Sequence, residues 1–445
     1  MDNEEQNAKL SGLSNNERQM EATMQLVEQH VISKTDLRYA VIDRAAFASK
    51  NLYNAALYEI RQSFVHQGVY LFYNQMDKIM QKHEAYQGLP RKVSQQVLKL
   101  LDKNWKAFFQ ALEAYGEDPS KFLGRPRLPK YKDKTQGRNV LVYTIQALSK
   151  PALKRGIVKP SGLPIEIKTR QKHIDQVRIV PRSAFYVVEV IYNREEVQGE
   201  VNPALMAAVD IGVNNLVALT SNKSGFIPRL VNGRPIKSVN QFYNKQREHH
   251  QKKMGKDHFT SRQLDHITNK RTRRIDHYMH TTSKHLIDLL VAEGIGTLII
   301  GKNPLWKQDP TMRKTDTQHF VQLPHARFID MLCYKAKLVG IQIILQEESY
   351  TSKASFLDLD PIPTYGKEES EPVFSGRRVK RGMYKASDKR KINADINGSY
   401  NIMRKASPNV FRNNGVEDGK GVFASLVVHP VRIVVPVRTR KASGQ

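Results

Sequence analysis

The chain of 445 residues has a single cysteine, Cys333. One thiol excludes an internal disulfide and any zinc site built on several cysteine ligands. It lies in FIDMLCYKAKLVG, an amphipathic stretch in which a thiol reads as a small core residue. There is no run of about 18 apolar residues, so no membrane-spanning helix is expected. The opening MDNEEQ is acidic and polar, unlike a secretory signal. A reducing, cytoplasmic compartment fits these absences. Acidic residues are scarce as well: 43 Asp plus Glu face 71 Lys plus Arg, a formal net charge of +28. That excess is more than solubility requires. Its natural partner is a phosphate backbone, where each neutralised phosphate releases a counterion. An anionic membrane surface is the weaker alternative.

Two of the few acids sit in conspicuous company. Asp210 lies in AAVDIGVNNLVALT and Asp395 in INADINGSYNIMRK. Small or apolar residues and a nearby Gly or Asn surround each, the setting of a carboxylate at a strand or helix end facing a site. Carboxylates inside a cationic shell are what a metal-dependent enzyme acting on a polyanion needs.

Length and a hydrophobic content of 40% support roughly two to four domains with ordinary cores. Residues 44–64 and 93–115 read as helices, the second carrying Val97, Leu101, Trp105 and Phe108 on one face, starting after Pro90 and stopped by Gly116. FLGRPRLPKYKDK breaks this texture with two prolines and a glycine. Its Arg125, Arg127, Lys130 and Lys132, interleaved with aromatic residues, suit phosphate contact and base stacking. VLVYTI, LPIEIKT, QVRIV and FYVVEVIY are strand-like and point to a small barrel or sandwich. From residue 207 strands alternate with helices, predicting a sheet covered by helices. The helix of residues 262–293 has a buried stripe of Ile275, Met279, Thr282, Leu286 and Leu289 and is stopped by Gly294. His266, His277, His280 and His285 nearby read as packing or phosphate partners, since none pairs with a cysteine.

Paired divalent ions about 4 Å apart hold the attacking and leaving oxygens of a phosphodiester, and Mg²⁺ prefers carboxylate oxygens and water. The minimum signature is three or four carboxylates converging at one end of a sheet. Asp210 and Asp395 supply two.

In VDIGVNNLVALT, NKRTRRIDHYMHTTSKHLID, EESYTSK and INADINGSYNIMRK the chain resembles the C-terminal half of the transposon-encoded TnpB proteins. RAAFASKNLYN and GRPRLPKYK resemble their N-terminal half, so the likeness covers roughly residues 25 to 425. INADINGSYNI matches the family's third RuvC motif. These proteins are RNA-guided endonucleases of small insertion sequences and ancestors of type V CRISPR effectors. The resemblance implies an α+β multidomain protein. Its layout would be the N-terminal part of a wedge domain (1–43), a helical recognition lobe (44–120), the wedge β-barrel (121–204), an RNase H-like (RuvC) α/β nuclease domain in two parts (205–352 and 392–412), a target-nucleic-acid-binding insert (353–391) and a tail (413–445). It also implies a guide RNA from the transposon end, double-stranded target DNA, Mg²⁺, cleavage beside a short adjacent motif, a monomer, and a prokaryotic cytoplasmic, nucleoid-associated setting. Asp210 corresponds to the first catalytic Asp and Asp395 to the last.

The chain departs from that family twice. The middle catalytic Glu usually ends the strand that here reads TLIIGKN, and Gly301 stands in its place. Just past the neighbouring strand lie Glu347 and Glu348, and either is expected to replace it, Glu348 slightly preferred. Side chains alternate along a strand, so only one should face the site. The usual four-cysteine zinc ribbon is also missing. Ala354 stands where its first ligand would be, so no zinc is expected. The basic end of that stretch, including Lys380 and Arg381, is expected to contact nucleic acid, as are Arg271, Arg273 and Arg274. Asp358 and Asp360 are further candidate carboxylates, although loop acids of this kind are more often solvated, and Asn397 and Asn401 are read as pins of the turn and helix start after Asp395.

Two further readings compete. A nuclease-dead RNA-guided DNA-binding regulator would share every basic feature; Gly301 favours it, and retention of both aspartates opposes it. A DNA-strand transposase would need a His–hydrophobe–His pair and a nucleophilic Tyr, which the chain lacks.

Overall fold

A computed structural model describes residues 23–254, 260–303, 318, 321–366, 371–380, 382–411 and 429–435. Two compact units divide at Glu195/Glu196. That is nine residues before the barrel boundary expected from sequence, because the strand containing Asp210 already begins at Asn202.

In the first unit, strand β1 (Thr23–Ser33) is followed by helices α1 (Tyr39–Gln67), α2 (Tyr73–Met80), α3 (Glu84–Gln87) and α4 (Arg91–Glu117). The rest comprises β2 (Leu141–Thr144), α5 (Lys150–Lys154), β3 (Ile157–Val158), β4 (Ile167–Lys168), β5 (Gln176–Arg182) and β6 (Phe185–Glu195). The main sheet runs β1-β6-β5-β2, all antiparallel, and β3 pairs with β4. β1 and β2 are its edges, so the described residues form an open sheet where a barrel is expected. Helices close its apolar face instead: Ile42, Leu57, Leu101 and Trp105 share one core with Leu141, Val177 and Val188. α1 buries Ala46, Leu52, Ala56 and Ile60 at helical spacing and ends at Gly68, whose φ of 69° permits the left-handed cap. α4 runs through Gly116, which does not stop it; the chain turns only at Asp118, whose side chain caps the next turn through Ser120 N.

The second unit holds β7 (Asn202–Asp210), β8 (Asn215–Ser221), β9 (Arg229–Asn232), α6 (Arg234–Lys252), α7 (Arg262–Ala292), β10 (Ile295–Gly301), α8 (His325–Lys337) and β11 (Gln342–Gln346). β12 (Arg377–Lys380), β13 (Met383–Lys385), β14 (Lys391–Asn393), α9 (Ala394–Ala406) and β15 (Val431–Ile433) complete it. Six strands are ordered β11-β10-β7-β8-β9-β15. β7, β8 and β9 form an antiparallel meander, while β10 is parallel to β7 and β11 parallel to β10. The three-residue β15 returns from the C-terminal stretch to lie parallel to β9, and Val435 joins the core.

Strand alternation assigns the two faces. Ala207, Val209, Leu298 and Ile300 pack with Ile275, Leu286 and Phe328 of α7 and α8. Ala208 and Ile299 point the other way, to Ile396, Tyr400 and Ile402 of α9. Asp210 follows Ala208 by two residues and Gly301 follows Ile299 by two, so both fall on the α9 face at one end of the sheet. α9 is seated there by Ser399, whose Oγ donates to Ala208 O at 2.9 Å and meets Thr220 Oγ1 at 2.9 Å.

Candidate functional site: an acidic centre beneath helix α9

Four acids arrive at this sheet end from three places in the sequence. Asp210 closes β7. Gly398 of α9 lies directly against it: a Cβ there would stand 2.8 Å from Asp210 Oδ2. Asp395 is in the first turn of α9, a position that favours negative charge, and Asn393 caps that turn by accepting from the Asp395 and Ile396 amides. Asp395 Oδ2 accepts from Asn215 Nδ2 at 2.7 Å, and its Oδ1 lies 3.4 Å from Arg378 Nη2 of β12.

Glu347 and Glu348 follow β11 and diverge. Glu347 accepts from Lys405 Nζ and from Ser349 N at 2.7 Å. Lys405 also donates to Ser349 O, Ser349 Oγ and Pro363 O, and its side chain is only 6% exposed. Glu347 thus belongs to an ion pair. Glu348 turns to the sheet end, where its Oε2 lies 2.3 Å from where a Cβ on Gly301 would be. Its amide is fixed by Asn303 Oδ1 at 3.0 Å. Asn397 and Asn401 secure the loop beyond it. Both donate to Ala354 O, at 2.8 and 2.7 Å, Asn401 also to Thr351 O at 2.9 Å, and Asn397 Oδ1 accepts from Phe356 N at 2.9 Å. They pin this loop rather than the turn and helix start after Asp395, because their side chains leave the helix on the loop side.

Electrostatics ties these acids together. Burial pushes the Asp210 carboxyl well above its ordinary range; the Asp395 charge adds to this, and Arg378 offsets part of it. Burial also raises Glu348, with the charges of Asp210 and Glu347 adding and Lys405 opposing. At Glu347 burial acts against ionisation, but the hydrogen bonds from Lys405 and Ser349 win and hold it below the usual range. Repelling, poorly hydrated carboxylates are what a divalent cation relieves. Among the described residues no three His, Cys, Asp or Glu side chains are already gathered around one point. The fit therefore rests on the charge of Asp395 acting on Asp210 and that of Asp210 acting on Glu348, and on the room over Gly301 that the Glu348 carboxylate takes. Sequence reading misses Arg378, which among the described residues is the cation paired with Asp395, because it is one basic residue in a basic stretch.

The remaining sequence candidates separate by what their donors do. In the first unit, α1 straps down the basic loop: Lys50 Nζ donates to Lys134 O at 2.7 Å, Asn54 Nδ2 to Lys132 O at 2.9 Å, and Arg61 Nη2 to Pro129 O at 2.6 Å. Arg125, Arg127 and Lys130 remain exposed, whereas Lys132 is half-buried with its Nζ 5.1 Å from the Tyr53 ring centroid. In the second unit Arg273, Arg274 and Lys380 are exposed. Arg271 is a correction to the expectation. Its Nε donates to Asn240 Oδ1 at 2.7 Å, its Nη2 donates to Gln322 O at 3.1 Å, and its guanidinium lies over Tyr243. It ties α7 to α6 and is half-buried, because a planar cation with several donors satisfies several acceptors at once. Arg381 lies outside the described residues. His266, His277, His280 and His285 are exposed along α7, and Cys333 is half-buried in α8. Asp360 is not a solvated loop acid: it binds Ser375 and is 4% exposed, whereas Asp358 is partly exposed and binds Ser387 at the surface. Among the described residues no helix is long and apolar enough to cross a membrane.

Residues 186–306 match the family described as OrfB_IS605, a probable transposase. Residues 325–402 match the Cas12f1-like TNB domain. No curated protein matches the chain. It is similar to the protein in a cryo-EM structure of a Cas12f1–sgRNA–target DNA complex, at 13% identity over 81% of this chain and 82% of that one, with a TM-score of 0.49. It is also similar to the mini-RNA-guided endonuclease CRISPR-Cas_phi3, at 9% identity over 86% and 92%, TM-score 0.42. A third is C2c1 of Alicyclobacillus acidoterrestris in complex with single-guide RNA, at 6% identity over 83% and 67%, TM-score 0.37. With a transposase segment spanning the meander and β10, and a TNB segment running from α8 into α9, the chain is similar to TnpB-like proteins along these two segments.

Proposed function

We propose that this protein is an RNA-guided DNA endonuclease of an insertion sequence, cutting target DNA beside a short adjacent motif by Mg²⁺-dependent phosphodiester hydrolysis. One observation carries the proposal: the Glu348 carboxylate fills the space above Gly301 and is repelled by Asp210. The strand order β9-β8-β7-β10-β11, a meander followed by two parallel strands, supports an RNase H-like (RuvC) reading of the second unit. Asp210, Glu348 and Asp395 would hold the divalent ions. When bound, these ions would polarise the phosphoryl oxygens and lower the pKa of the attacking water. Arg378, 3.4 Å from Asp395, is placed to hold the charge of the scissile phosphate at the same end of the sheet. Asn215 and Asn393 orient Asp395, and Gly398 lets α9 approach Asp210. The net charge of +28, with exposed Arg125, Arg127, Lys130, Arg273 and Arg274, supports binding of a guide RNA and its DNA target through phosphates.

A nuclease-dead regulator gains its support from Gly301, and that support weakens once a carboxylate stands over the glycine. The test is cleavage of a supercoiled target by the purified protein with its own guide RNA, in Mg²⁺ and in chelator. Mg²⁺-dependent cuts, abolished by Asp210→Asn while guided binding persists, are expected. Tight guided binding without cuts from the wild type would leave the regulator.

A further inference from the structure

Where a zinc ribbon is absent, two carboxylate–serine clasps hold the chain. Asp360 Oδ2 accepts from the amides of Ser355 at 2.7 Å and Ser375 at 3.0 Å, and its Oδ1 accepts from Ser375 Oγ at 2.6 Å. Asp358 accepts from Ser387 N at 3.1 Å and Ser387 Oγ at 2.5 Å. Leu359, between them, has φ 54°, a left-handed conformation that a branched residue holds only where its surroundings over-determine it. Arg404 Nη2 of α9 donates to Asp360 O at 3.0 Å, so the first clasp is tied to the helix that carries Asp395. Tyr384, 1% exposed, donates its hydroxyl to Lys353 O at 2.7 Å beneath the small sheet. Ser375 lies two residues before β12 and Ser387 two residues after β13, so the clasps hold the two antiparallel strands at the same end, where Arg377 pairs with Lys385. Arg378 is three residues beyond Ser375.

We infer that Asp360 is a positioning residue for the nuclease centre: by clasping Ser375 it fixes the start of β12 and places the Arg378 guanidinium on Asp395. The inference rests on the proposed role of Arg378. In this chain hydrogen bonds to charged acceptors stand where the metal ligands are missing, the Asp360 carboxylate itself being buried, and charge-assisted bonds of this kind are stronger than neutral ones. The purified protein should therefore carry no stoichiometric zinc, and zinc chelation should leave its folding unchanged.

The experiment compares wild type, Asp360→Asn, Ser375→Ala, Ser375→Thr, Arg378→Ala and the Asp360→Asn/Arg378→Ala double variant. Single-turnover cleavage and guided binding are measured, with amide hydrogen exchange of residues 371–380 in parallel. Asn at 360 keeps the shape but turns an amide donor toward an N–H. Asp360→Asn should cut about tenfold more slowly with binding nearly unchanged, the double variant no more slowly than Arg378→Ala alone, and Ser375→Thr should keep the wild-type rate. Exchange at Ser375 and through β12 should rise in Asp360→Asn. Wild-type cutting by Asp360→Asn, or independent multiplication of the two losses, would overturn the inference. If the wild type does not cut at all, the endonuclease reading fails, and the exchange data alone decide the clasp: unchanged protection of Ser375 in Asp360→Asn overturns it.

Discussion

Glu348 and Gly301 compete for one volume. The strand-end glycine supplies the room into which the carboxylate of the next segment turns, with 2.3 Å between Oε2 and any Cβ that position 301 acquired. That distance is far inside van der Waals contact, so Gly301→Ala must displace Glu348. Its cleavage rate should fall by about 10²-fold, the scale on which removing one preorganised electrostatic group acts. Guided binding should persist. Undiminished cutting by Gly301→Ala would show that the Glu348 position does not matter.

The acidic centre should make the metal-free protein sensitive to pH. Asp210 and Glu348 are raised in the folded state above the unfolded values of about 3.9 and 4.3. The folded state therefore holds these protons more tightly. Their contribution is fully present below about pH 4 and is lost as pH rises through the raised folded values. In chelator at pH 8, Asp210→Asn and Glu348→Gln should each raise the melting temperature by a few degrees, on the order of 1–3 kcal/mol, and the gain should vanish near pH 4. Mg²⁺ should stabilise the wild type more at pH 8 than at pH 5 and the variants less. Calorimetry across this range is the check.

Arg378 holds Asp395 and also opposes a cation there. Arg378→Ala should thus lower the Mg²⁺ concentration for half-maximal cutting by a few fold while lowering the maximal rate by about tenfold or more. A raised Mg²⁺ requirement, or an unchanged maximal rate, would contradict a charge-holding role.

The exposed cations and the strapped ones should part in solution. Arg125→Ala, Arg127→Ala and Lys130→Ala should each weaken guide binding and reduce the salt slope by about one. Arg271→Ala should leave the slope nearly unchanged and instead destabilise the second unit by about 1–3 kcal/mol, since Asn240 and Gln322 lose their donor.

Asp210 and Asp395 are legible in sequence because a strand end before Ile-Gly and a helix start behind an Asn cap have local signatures. The helices α1, α4 and α7 are legible from their apolar spacing. The choice between Glu347 and Glu348 is not. β11 ends at Gln346 and the chain turns at Tyr350, φ 63°, so strand alternation no longer says which side chain faces inward. β15 escapes notice because three residues pair in parallel with a strand about two hundred residues earlier. Likewise β1 gains its identity from β6, its partner from Thr23↔Glu195 to Ser33↔Phe185. Arg271 looks like its basic neighbours until its acceptors are known, and Asp360 looks solvated until Ser355 and Ser375 close on it.

The most direct test sets Glu347→Gln beside Glu348→Gln in single-turnover cleavage with saturating guide and Mg²⁺, at a temperature where both variants are folded. Glu348→Gln should lose at least about 10²-fold in rate with target binding intact, and Glu347→Gln, whose amide oxygen still accepts from Lys405, should stay within a few fold of wild type. Full activity of Glu348→Gln, or loss confined to Glu347→Gln, would contradict the placement of Glu348 in the metal-holding centre.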